Sequence, residues 1–69
     1  MPPVGYSIFD TALGCCGIAW GERGLLAVQL PEADAAGTQA RLLRRVRAAQ
    51  QASPPAAVQQ AIDGIRALL

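Results

Sequence analysis

Cys15 and Cys16 stand side by side in "LGCCGIA", and by type they are the residues of this chain best suited to covalent chemistry. A thiol becomes a nucleophile only when a base, a cation or a helix N-terminus lowers its pKa. The chain contains no histidine, and no basic residue lies near the pair in sequence. Both cysteines fall in a run with strand character, where one side chain points inward and its neighbour outward, so they read as packing residues of a small sheet. "CC" lacks the C-x-x-C spacing of a thioredoxin-like motif, and two thiols without an imidazole cannot complete a zinc site. Consecutive cysteines bridge each other only through a strained ring, so reduced thiols and a cytoplasmic setting are expected. A thiol redox role would require an unusually acidic sulfur.

The carboxylates Asp10 and Glu22 are the next candidates, since acidic residues on a sheet can share a divalent ion for phosphoryl chemistry. Such a site needs a third ligand. Asp10-Thr11 reads more simply as the start of a turn, and Glu22 as a solvent-facing hairpin residue. Arg41, Arg44, Arg45 and Arg47 form the charge cluster of the chain. A solvated helix face explains them, and contact with DNA phosphates is the alternative left open. There is no G-x-G-x-x-G, P-loop or G-x-S-x-G pattern, so no catalytic, cofactor-binding or metal-binding residue is expected.

The elements that carry these residues follow from periodicity. Alternation over residues 5–10, 14–20 and 24–30 predicts three strands, with "DTALG" and "GERG" as the turns of an antiparallel meander. Pro31 ends the third strand, and Asp34 is suited to cap a helix over residues 34–50. In that helix Ala35, Thr38, Gln39, Leu42, Val46 and Ala49 share one side, with Arg44 opposite. Ser53-Pro54-Pro55 predicts a second start, with Ser53 as N-cap, for a helix over 54–69 whose stripe is Val58, Ala61, Ile62, Ile65 and Leu69. "QQASPPA" reads as a plain helix–helix connection. The expected architecture is α+β: a three-stranded antiparallel meander followed by two helices packed on one face.

Composition sets the class. At 69 residues with 52% apolar and 16% charged side chains, the chain is too apolar for intrinsic disorder, yet at the lower limit for an unassisted core. A net charge of +1 gives no field to draw it to nucleic acid. "MPPVGYSIFD" does not read as a signal peptide, and no apolar run approaches the roughly 18 residues that cross a bilayer, so no membrane partner is expected.

Several stretches in order, Phe9-Asp10-Thr11 with Leu13-Gly14, Glu22-Arg23-Gly24-Leu25 and Leu30-Pro31, resemble the N-terminal domain of the methylated-DNA–protein-cysteine methyltransferases, the O6-alkylguanine-DNA alkyltransferases. The resemblance covers the chain from about Gly5 to Leu69. It implies a ribonuclease H-like domain without the acidic metal site of the nucleases. It further implies a partner: a catalytic domain in which a helix-turn-helix binds DNA and the cysteine of a Pro-Cys-His-Arg motif accepts the alkyl group. That motif is missing here, so no catalytic or DNA-reading residue carries over, and the domain alone is expected to be inactive and not to bind DNA directly. The second helix has no stop signal before Leu69, so the chain is expected to be part of a two-domain protein, with an apolar helix face including Leu68 and Leu69 open to self-association. The alternative expectation is a free-standing interaction module, a homodimer or partner-binding domain without catalysis.

Overall fold

A computed structural model describes residues 4–69; the first three residues of "MPPVGYSIFD", which does not read as a signal peptide, lie outside the described part. The chain is α+β, with β1 (Gly5–Thr11), β2 (Gly14–Gly21), β3 (Gly24–Gln29), α1 (Ala35–Arg45), β4 (Gln50–Gln51) and α2 (Ala56–Leu68). The first three strands form the antiparallel meander, and both of its turns depend on glycine. Gly14 and Gly24 hold φ of 130° and 126°, a region that side-chain-bearing residues rarely enter. Thr11 closes the first turn by donating from Oγ1 to the Gly14 carbonyl at 2.8 Å while accepting from the Leu13 amide at 3.2 Å.

The sheet has a fourth strand, and its order is β3-β2-β1-β4. β4 pairs in parallel with β1, Gly5 opposite Gln50 and Tyr6 opposite Gln51. This corrects the reading of "QQASPPA" as a plain connection. Two glutamines carry no alternation that could announce a strand; their extended form is imposed by the amide bonds Gln50 to the Val4 carbonyl and Ala52 to the Tyr6 carbonyl. The same pairing shortens the first helix from the expected 34–50 to Ala35–Arg45. Val46 and Ala49 still pack on the core, but from the turn that follows the helix.

The helices lie on opposite faces of the sheet, not together on one. Tyr6, Ala19 and Ala27 gather under Leu42 of α1. Phe9, Cys16, Ile18 and Trp20, which alternate with them, gather under Val58 and Ile62 of α2. Two features force this. A strand parallel to β3 at the far edge can be reached only by a crossover, which lays α1 across one face; α2, leaving from that far edge, then covers the other. The central strand also requires it, because Cys16 through Trp20 are all buried, a run that one-sided cover cannot produce.

Asp34 caps α1 as expected, its carboxylate accepting from the Gly37 amide at 2.7 Å. α2 starts differently: its N-cap is Pro55, with no side-chain capping bond, so Ser53 does not serve as the cap. Leu69 packs against the core, leaving Leu68 as the exposed member of the terminal pair. Exposed apolar side chains also occur on and after β3, at Leu25, Leu26 and Leu30. No helix of the described residues is long and apolar enough to cross a membrane.

Candidate functional site

The antiparallel register sets Asp10 opposite Cys15 and Phe9 opposite Cys16, so the adjacent thiols face different layers. Cys16 points into the α2 layer and is fully buried; the nearest hydroxyl, Thr11 Oγ1, lies at 3.9 Å from its sulfur. Cys15 points to the α1 layer, half-buried, and donates its S–H to Asp10 Oδ1 at 3.0 Å. That bond is the main cause that raises the Cys15 pKa above the ordinary 9.0; partial desolvation and the Asp10 charge add to it. A carboxylate that accepts the thiol proton holds it in place, which is the reverse of what a nucleophilic cysteine needs.

A measurable consequence follows. Asp10→Ala removes both acceptor and charge, so the pKa of Cys15 falls and its alkylation by iodoacetamide at pH 8 becomes faster than in the unmodified chain. Cys16 stays protected in both. The sign for stability runs the other way from a paired carboxylate: the folded state keeps the Cys15 proton longer than the unfolded state. The contribution is therefore complete below the ordinary thiol pKa and is lost as pH climbs through the raised one.

The two carboxylates singled out in the sequence are not brought together. Asp10 sits at one end of the β1–β2 ladder and Glu22 in the turn beyond Gly21 at the other, which at about 3.3 Å per residue is a separation of about 20 Å. Of the arginines, Arg41 and Arg44 are exposed on α1, and Arg47 lies in the turn after it. Arg45 is committed to the sheet, donating to the Val28 carbonyl at 2.9 Å and to Gln29 Oε1 at 3.3 Å. The four do not present one continuous helical face.

Two polar features went unread in the sequence. The first is Thr38, placed on the apolar stripe and fully buried. Its hydroxyl accepts from the Glu32 amide at 3.0 Å and lies 2.9 Å from the Cys15 carbonyl and 3.2 Å from the Asp34 carbonyl. A lone threonine among leucine and valine on a helical stripe is a visible signal, but its partners are distant in sequence. The second is a recess of about 280 Å³ between β1 and α2, lined by Ser7, Ile8, Phe9, Asp10, Pro54, Gln59, Ile62 and Arg66. Arg66 closes one end by donating from Nε to the Asp10 carbonyl at 2.9 Å.

Among the described residues the Asp10 carboxylate is the proton acceptor beside Cys15, where it raises the thiol pKa, and no group of three metal-ligating side chains gathers. The chain matches no family model, no curated protein and no solved structure.

Proposed function

We propose that this chain is the non-catalytic, ribonuclease H-like N-terminal domain of a DNA repair protein that clears O6-alkylguanine by transferring the alkyl group to its own cysteine. Its role is to scaffold a catalytic domain that carries the helix-turn-helix and the reactive cysteine. The observation that carries this reading is where the resembling segments fall. Thr11 and Gly14 make the first turn. Gly24 with its positive φ makes the second. Pro31 lies against Gly14, its Cβ 3.1 Å from where a Gly14 side chain would begin. The short stretches that carry the resemblance are thus the ones on which the meander turns, and turn chemistry is what a shared fold retains. A Cys15 thiol hydrogen-bonded to Asp10 and a fully buried Cys16 agree with a domain that leaves the transfer step to its partner. Leu25, Leu26, Leu30 and Leu68, exposed on this domain, supply apolar surface for that partner to cover.

Incubating the chain with an oligonucleotide containing O6-methylguanine, radiolabelled in the methyl group, is expected to leave Cys15 and Cys16 unlabelled. The isolated catalytic domain of a related alkyltransferase is expected to bind the chain in sedimentation. Stoichiometric labelling of either cysteine, or failure of that domain to bind, removes the reading.

A further inference from the structure

We propose that the uncovered edge of β1 beside α2 is a strand-addition site, taking an extended segment of a partner protein that carries an acidic side chain. The inference rests on the sheet edge itself and not on the assignment to a repair protein.

β1 has seven residues, and β4 pairs with only two of them. The groups that face β4 come from alternate residues, since the Val4 and Tyr6 carbonyls accept from Gln50 and Ala52. Continuing that alternation places the amide and carbonyl of Ile8 and those of Asp10 on the same side. Among the described residues no strand meets them, because Pro54 has no N–H to extend the ladder and the backbone turns away into α2. Among the described residues, the Asp10 carbonyl is the one of these groups that is met, by Arg66.

The surroundings select the ligand. An amide and a carbonyl at Ile8, followed about 6.6 Å along by the amide of Asp10, repeat at the two-residue period of an extended peptide. The recess of about 280 Å³ is at the lower limit of the roughly 300–1,000 Å³ of small-molecule sites. Phe9 and Ile62, buried members of the α2-side core, line its apolar part. Arg66 uses Nε on the sheet and keeps its remaining N–H donors for an anion, which a carboxylate of the added strand supplies in bidentate form.

The opposite edge of the sheet is blocked by comparison. The β2–β3 register slips between Ala19 and Trp20, and a bulge of this kind twists an edge away from pairing. Arg45 also occupies the Val28 carbonyl and the Gln29 side chain.

The test selects short random peptides from a displayed library on the full chain and remakes the enriched ones synthetically. Enriched peptides are expected to alternate apolar and polar residues, to contain Asp or Glu, and to slow hydrogen exchange at the Ile8 and Asp10 amides. Arg66→Glu, at an exposed position, is expected to weaken them about tenfold, the effect of a charge contact of about 1.4 kcal/mol. A chemically synthesised chain N-methylated at Ile8, which leaves the β1–β2 ladder intact, is expected to lose them. The proposal is overturned if no peptides are enriched, if protection appears along β3 instead, or if binding is indifferent to both changes. It is equally overturned if the chain alone dimerises with its Ile8 amide already protected, since the occupant is then a second copy.

Discussion

Replacing Leu42 with alanine destabilises the fold by about 2–5 kcal/mol, the range for truncating a fully buried leucine, and shifts the urea midpoint accordingly. Leu42 is 0% exposed and is the one large apolar side chain that α1 buries completely. Its Cδ2 reaches to within 2.9 Å of where a Gly17 side chain would begin, so it fills the space that glycine leaves on the central strand. A cavity there borders β2 and the underside of α1 and cannot close without moving one against the other. In a domain whose core supplies little more than about 3–5 kcal/mol, much of the Leu42→Ala population is unfolded at room temperature. Circular dichroism in urea measures this directly. A midpoint unchanged from that of the unmodified chain would mean that α1 does not dock as described.

Thr38→Val is the second large effect, and it separates hydrogen bonding from packing because the side chains are nearly equal in volume. The variant leaves the Glu32 amide and the Cys15 carbonyl without the hydroxyl that both use. Stranding a buried polar group costs about 1–3 kcal/mol; these two groups are only part-buried, so the loss falls towards the lower part of that range. Thr38→Ser keeps the hydroxyl and is expected to retain most of the stability, losing only the methyl contact. If valine and serine destabilise equally, the network is not what holds α1 to β2. Thr38 and Leu42 are one helical turn apart on the same contact, so their combined variant should depart from additivity.

These residues also show what can be read from sequence and what cannot. Leu42 and Thr38 were placed on one stripe by the helical period alone. The three strands of the meander and their turns were readable for the same reason, because alternation and turn chemistry act over a few residues. The fourth strand was not readable, since Gln50 and Gln51 are extended only because the edge of β1 is there to pair with them. The disposition of the helices was legible in principle: "CCGIAW" is apolar without alternation, the mark of a strand covered on both faces, although alternation of one half against the other suggested a single covered face.

The site follows the same division. That Cys15 and Cys16 lack a histidine was settled by composition, and so was the absence of any nearby basic residue in sequence. That Asp10 holds the Cys15 proton depends on the β1–β2 register, a pairing across the hairpin. Arg66 and Asp10 meet across 56 positions of chain, and no local pattern could announce it.

By itself the amino-acid order determined the local elements: where strands alternate, where glycine must turn the chain, where Asp34 starts a helix, and that neither sulfur has a histidine to serve it. Those are short-range effects of sterics, hydrogen bonding and residue type. Only tertiary structure decided that the helices take opposite faces, that two glutamines become a strand, and that β1 keeps an uncovered edge beside Arg66. Each of these depends on which distant surfaces are left to be buried or paired once the meander has formed, and that competition has no counterpart in any window of neighbouring residues.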